Sequence, residues 1–252
     1  MLGRQTTAPG AARKHTIYPD DAIGGTFGTE GDGTLPADLV RWISGTFFVL
    51  FVASTVLFFP RPDRRATRVV RASHPLSLVT GPLWAAILIV VFLALLVEAI
   101  VPDWVYGGAL TVPVPFGVAL QGFGIVLWLA GGGLALWSER NLGRFTRPEI
   151  EVLADHRLIT DGPYRWIRHP LYTAFLLMSA GVALLLLNAL LIVLFFVACG
   201  IAQRRAVLEE ELLSSEKGFG DVYRSYMERT GRFLPRRGAQ PGDAAEKPGG
   251  AP

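Results

Sequence analysis

Long apolar runs alternate with short arginine-bearing breaks along this chain, and the run lengths decide what each can be. Residues 42 to 59, WISGTFFVLFVASTVLFF, can be extended by Leu39 and Val40 and are ended by Pro60 and Pro62. The run approaches the roughly 20 helical residues that cross a hydrocarbon core of about 30 Å. A second span is predicted over roughly Leu78 to Val101, closed by Pro102, Asp103 and the interfacial aromatics Trp104 and Tyr106. A third runs from about Phe116 to Trp137, and Leu171 to Ile201 is then apolar except for Asn188. As one helix that last stretch would measure about 46 Å at 1.5 Å per residue, longer than a bilayer is thick. It is therefore read as a hairpin of two short helices turning at Asn188. The second arm has no proline between Ala189 and Leu213, and Gly200 alone is a weak breaker. The arm is expected to continue out of the membrane, carrying Arg204, Arg205, Glu209, Glu210 and Glu211. A cytoplasmic helix and turn follow in FGDVYRSYMERTGRFLP, with Tyr223 and Tyr226 on one face.

The pattern predicts an all-α polytopic integral membrane protein with about five transmembrane helices, a C-terminal helical hairpin and functional loops on the cytoplasmic side. It divides into a disordered tail over 1–37, three membrane helices over 38–137, a core of hairpin and cytoplasmic helix over 138–236, and a second disordered tail over 237–252. Composition agrees: 51% of the residues are hydrophobic, 18% are charged and the mean hydropathy is +0.39. The formal charge is +3, but the basic residues sit in short loops beside apolar runs. Membrane orientation explains them more simply than nucleic acid does. Arg61, Arg64, Arg65, Arg68 and Arg71 put the first loop in the cytoplasm, and the absence of basic residues from 102 to 115 puts the next loop outside. The N-terminus is then outside and the C-terminus cytoplasmic, with Arg41 a mild violation at the outer end of span one. Only Lys14, Lys217 and Lys247 among the 24 basic residues are lysine; this arginine bias points to a bacterial inner membrane. No apolar segment follows a basic start in the first thirty residues, so no cleavable signal peptide is expected. Cys199 is the single cysteine, which excludes an intramolecular disulfide and a cysteine-based zinc site; no metal is expected.

Gly117, Gly124 and Gly131 recur every seven residues in span three and form a bare stripe, with Gly131 and Ala135 a small-xxx-small pair. The stripe serves either an internal contact or a homo-oligomer. The candidate chemistry lies at the hairpin mouth. GPYRWIRHPLY, Gly162 to Tyr172, packs Arg165, Arg168 and His169 among Tyr164, Trp166 and Tyr172 beside an apolar run. Ionisable groups near bilayer depth are costly unless paired, solvated or used. Pro170 suits the first turn of the fourth helix, whose remaining free N–H groups offer an anion site. If the hairpin returns to its starting side, the glutamates of its second arm come back beside this loop.

These stretches, GPYRWIRHPLY, then RAVLEEELL, then FGDVYRSYMERTGRFLP, resemble the C-terminal core of the isoprenylcysteine carboxyl methyltransferase family, related to membrane phospholipid methyltransferases. The resemblance implies that an RHPxY motif (Arg168, His169, Pro170, Tyr172) and an EExxL motif (Glu209, Glu210, Leu213) bind S-adenosylmethionine at the cytosolic face. It also implies that a lipophilic or prenylated substrate arrives from the bilayer. Such a donor needs carboxylates for its amine and ribose, cations or helix N–H groups for its carboxylate, and aromatics for its ring and sulfonium. On this reading His169 and the start of helix four take the donor carboxylate, Glu210 or Glu209 the amine or ribose, and Tyr172 and Tyr164 the adenine or sulfonium. Glu211 stays a candidate. Arg168, or Arg205, holds an anionic substrate group, for which a guanidinium fork is suited. A carboxylate acceptor needs no general base; an amine or hydroxyl acceptor needs one, from a glutamate or His169. The alternative is an NADPH-dependent membrane reductase resembling sterol reductases, which share the GPY-RHP-Y hairpin. The glutamate-rich, cysteine-free second motif here argues against it.

Overall fold

The structure is a computed structural model that describes residues 33–58, 68–71, 75–101, 104–143, 151–153 and 158–236. Its elements are α1 (Ala37–Phe58), β1 (Arg68–Arg71), α2 (Pro75–Ile100), α3 (Gly117–Leu142), β2 (Glu151–Leu153), a 3-10 turn (Gly162–Arg165), α4 (Pro170–Leu186), α5 (Ala189–Leu213) and α6 (Asp221–Arg229). Among the described residues, α1, α2, α3 and α5 are long and apolar enough to cross a membrane. Helix α4 is apolar but has only 17 residues, about 25 Å of rise. It is the short arm of the expected hairpin. Exposed Trp42, Val56, Ile89, Phe123 and Phe196 give these helices an apolar outer surface, which in a chain of this pattern faces lipid.

Two departures from the sequence reading concern its edges. The loop after α1 holds a strand: β1 pairs antiparallel with β2, Val70 opposite Val152. Hydropathy gives no signal for so short a ribbon. The tail expected over 1–37 is also ordered at its end. Leu35 N–H donates to Gln121 Oε1 (2.7 Å), Tyr106 Oη–H donates to Leu35 O (2.8 Å), and Val118 N–H donates to Gly33 O. A polar composition hid a segment whose backbone is held by a buried glutamine. The rest of that tail, most of the arginine loop and the tail over 237–252 lie outside the described residues.

The glycine stripe answers its own either-or. A Cβ on Gly131 would lie 2.7 Å from Ala174 O and from Met178 Cγ, and one on Gly124 would lie 2.8 Å from Gly181 O. Gly181 returns the contact, with a Cβ there 2.6 Å from Gly124 O. The stripe lets α3 and α4 touch backbone to backbone, so it is an internal contact. Stacked rings, Phe47 on Trp128 and Phe51 on Phe92, tie α1 to α3 and to α2.

At the other end of the bundle the hairpin turns where expected. Asn188 caps α5, its Oδ1 accepting from the N–H groups of Leu190 (3.0 Å) and Leu191 (3.4 Å) while its Nδ2 donates to Val105 O. Leu187 takes a left-handed conformation, φ 46°. Backbone bonds from Val112 N–H to Leu187 O and from Ala189 N–H to Leu110 O hold it against the loop before α3. Nearby, the buried Glu98 accepts from the N–H groups of Val105 and Tyr106. Arg41, the residue that strained the orientation rule, donates to Ala99 O in the last turn of α2. There a cation faces the partly negative carbonyl end of a helix.

Replacing Gly131 by leucine is expected to lower stability by about 1–3 kcal/mol through overpacking. Gly132→Ala, where an added Cβ meets nothing within 4 Å, is expected to be neutral or slightly stabilising. Thermal unfolding of the detergent-purified pair checks the contrast.

Candidate active site at the hairpin mouth

Helix α5 runs unbroken to Leu213 and brings its glutamates back beside the start of α4. The helical step of about 100° per residue then sorts them. Glu210 turns inward and is 3% exposed, Glu209 is half-buried, and Glu211 faces outward.

Among the described residues, Glu210 is the most heavily partnered carboxylate. Its Oε1 accepts from Arg168 Nε (2.8 Å) and lies 3.2 Å from His169 Nε2, and its Oε2 accepts from Arg232 Nη2 (2.6 Å). Arg168 continues outward, its Nη1 donating to the carbonyls of Met227 (3.0 Å) and Thr230. The backbone follows the side chains. Arg168 and His169 donate to the carbonyls of Gly231 and Arg232, Gly231 N–H donates to Trp166 O, and Thr173 Oγ1–H donates to Phe233 O (2.9 Å). Tyr226 Oη–H closes the seat by donating to Tyr164 O (2.6 Å). The segment after α6 is thereby strapped across the first turn of α4.

In this geometry two of the expected groups have partners within the chain. Arg168 does not present a free fork to a substrate, because Glu210 and two carbonyls occupy it. Glu210 does not present a free carboxylate to an amine, because two arginines and a histidine occupy it. The reason lies in Arg232, which sequence reasoning passed over. It sits in the quoted TGRFLP stretch, where an arginine just beyond a helix looks like a surface residue. Its signal was its place after Thr230-Gly231, which lets the chain turn back on the hairpin.

A second cluster lies beside the first. Tyr172 Oη–H donates to Glu209 Oε2 (3.2 Å) and accepts from Arg205 Nε (3.3 Å), so one phenol bridges an anion and a cation. This three-membered link joins α4 to α5, and Arg205 is 5% exposed. The Tyr172 ring meets Trp84 edge-on at 5.5 Å and lies near-parallel to His169 at 5.5 Å. A Cβ on Gly81 would come within 3.0 Å of Arg205 Nη1, so α2 also borders this cluster. His169 Nδ1 is 3.6 Å from Glu209 Oε2, which links the two groups. Pro170 opens α4 at its first position and is fully buried. Tyr164 is buried against Ile159 and Leu142. Burial first, then the Glu209 carboxylate and the further charges of Tyr226, Glu139 and Tyr172, push its phenol far above the ordinary range, so it stays neutral. Among the described residues there is no group of three or more His, Cys, Asp or Glu side chains able to hold a metal ion.

Residues 124–215 match the isoprenylcysteine carboxyl methyltransferase (ICMT) family. The match takes in most of α3 and all of α4 and α5. A protein-S-isoprenylcysteine O-methyltransferase of Tribolium castaneum is 34% identical over 88 residues, 34% of this chain and 31% of that protein. One of Schizosaccharomyces pombe is 37% identical over 82 residues, 32% of this chain and 34% of that protein. The chain thus aligns with about a third of the length of these relatives. The solved structure of a eukaryotic intramembrane Ras methyltransferase ICMT superposes with a TM-score of 0.50 at 22% identity, covering 81% of this chain and 69% of that one. That likeness speaks to the fold, a polytopic helical membrane protein.

Glu210→Ala is expected to cost about 3–5 kcal/mol, because it leaves buried cations uncompensated. Arg232→Ala, whose side chain is 30% exposed, is expected to cost less. Limited trypsin digestion checks the cause: cleavage at Arg224 and Arg229 accelerates in both variants if the strap has come loose.

Proposed function

We propose that the chain is an integral membrane methyltransferase that uses S-adenosylmethionine and acts on a lipid-like or prenylated substrate carrying a carboxylate. The observation that carries this reading is the Tyr172 phenol, which links a half-buried carboxylate to an arginine at the mouth of the family hairpin. When bound, S-adenosylmethionine supplies a methyl group on a positively charged sulfur. The residues present suit it. Glu209 has a hydrogen-bonding carboxylate not committed to an arginine, suited to an ammonium or ribose. Tyr164 and Tyr172 offer aromatic faces. His169 and the first turn of α4 offer donors for a carboxylate.

Arg205 is the better-placed residue for a substrate anion, since Arg168 is spent on Glu210 and the strap. It lies against Gly81 and donates to Tyr172, whose ring meets Trp84 edge-on. A lipophilic molecule with an ionised head would keep its tail in the hydrocarbon and present the head there. A carboxylate is already ionised at neutral pH, so no general base is required; catalysis is the positioning of donor and nucleophile in line. The arginine pattern of the loops further supports a bacterial inner membrane, with the N-terminus outside and this mouth in the cytoplasm. The division into a helical part over 38–137 and a core over 138–236 is retained as a functional one, α3 contributing to both.

Calorimetric binding to detergent-purified protein tests the reading. S-adenosylmethionine and its demethylated product are expected to bind, and NADPH is not. Glu209→Gln is expected to weaken both by about tenfold or more, the scale of one lost charge-assisted hydrogen bond. Binding of NADPH alone would move the assignment to a reductase. Transfer of labelled methyl to a farnesylated cysteine, absent with its carboxamide and weakened by Arg205→Gln, checks the acceptor.

A further inference from the structure

Arg168 and Arg232 both reach Glu210, but they are held in different ways. The Arg168 side chain is 8% exposed, and its guanidinium also donates to the carbonyls of Met227 and Thr230. The Arg232 side chain is 30% exposed, and among the described residues its guanidinium bonds only to Glu210, Nε to both carboxylate oxygens at 3.1 Å and Nη2 to Oε2 at 2.6 Å. The two oxygens differ in the same sense. Oε1 is shared by Arg168, His169 and Arg232, whereas among the described residues Oε2 accepts from Arg232 alone. Arg232 is thus the outer partner, standing between Glu210 and solvent. Its backbone is fixed independently, since His169 N–H donates to Arg232 O and Gly231 N–H to Trp166 O. The side chain can leave Glu210 while the strap stays seated and Arg168 keeps its bond to Oε1.

We propose that Arg232 is a cofactor-binding residue: it yields Oε2 of Glu210 to the ammonium of the methyl donor and takes the donor's carboxylate on its own guanidinium. The inference rests on the methyltransferase reading above and adds which residues hold the amino-acid end of S-adenosylmethionine. That end is a zwitterion, and an arginine–carboxylate pair is its complement, with a cation for the carboxylate and an anion for the ammonium. One contact between opposite charges is exchanged for two, and the net charge of the cluster does not change. A guanidinium fork matches a carboxylate with two parallel bonds. Glu209 is left for the ribose.

The arrangement has two consequences. Before a donor arrives, Arg232 stands in for the ammonium, so Glu210 is never a buried anion short of a partner on its outer side. The pair also discriminates. An adenine compound without a zwitterionic end cannot replace both halves of the contact, so it either leaves the pair shut or opens it without compensation.

The test is a two-by-two comparison by calorimetry on full-length protein in detergent. S-adenosylmethionine and its decarboxylated analogue, which keeps the sulfonium and the ammonium, are each bound to the wild type and to Arg232→Gln. The wild type is expected to prefer S-adenosylmethionine by about tenfold or more, the scale of one lost charge-assisted hydrogen bond. The glutamine variant is expected to lose that preference, because the coupling between this side chain and the donor's carboxylate is what the cycle isolates. A wild type without the preference, or a glutamine variant that keeps it, overturns the inference while leaving the methyltransferase reading intact. If the wild type binds neither compound, the methyltransferase reading fails and takes this inference with it. Should the glutamine variant not fold, Arg232→Lys keeps the charge and loses the fork. It is expected to reduce the preference severalfold, and a folded lysine variant that weakens both compounds alike counts against the inference.

Discussion

The arrangement depends on one buried carboxylate. Glu210 stands where the two arms of the hairpin and the returning chain meet, and it compensates Arg168 from one side and Arg232 from the other. Each cation would be expensive at this depth alone, and each is tolerated because the same anion serves both. The chain after α6 is held by this exchange more than by apolar contact, since α6 is polar except for the face that carries Tyr223 and Tyr226. With the strap in place, His169 is fixed from two directions and Tyr172 is left between Glu209 and Arg205.

Rigidity comes to the mouth from both ends of the hairpin. Close contact between α3 and α4, made by glycines facing one another, fixes the first arm without long side chains that could hop between rotamers. The tip is fixed separately by the Asn188 cap and by backbone bonds to the preceding loop. A site built on the ends of well-packed helices holds its groups more closely than one carried on loops. That matters for the proposed methyl transfer, whose catalysis is mainly alignment.

Much of this was legible in the sequence, and the rest was not for identifiable reasons. Run lengths gave the helices, because a bilayer imposes a length on anything that crosses it. Asn188 gave the turn, because an amide in an apolar run must find partners. The spacing of Arg168, His169 and Tyr172 against Glu209 and Glu210 showed which groups would meet. It did not show which would consume one another, because a motif records neighbours along the chain and Arg232 comes from a third segment.

The strap also sets an order of events in the life of the molecule. Every group of the hairpin mouth from Tyr164 to Glu210 emerges from the ribosome before Thr230, Gly231 and Arg232, yet the N–H groups of Arg168 and His169 find their backbone partners in that later stretch. A chain interrupted between Leu213 and Arg229 would hold all its apolar helices and still lack the piece that sets its mouth. Membrane insertion and completion of the mouth are thus separate steps, and the second waits for the segment after α6.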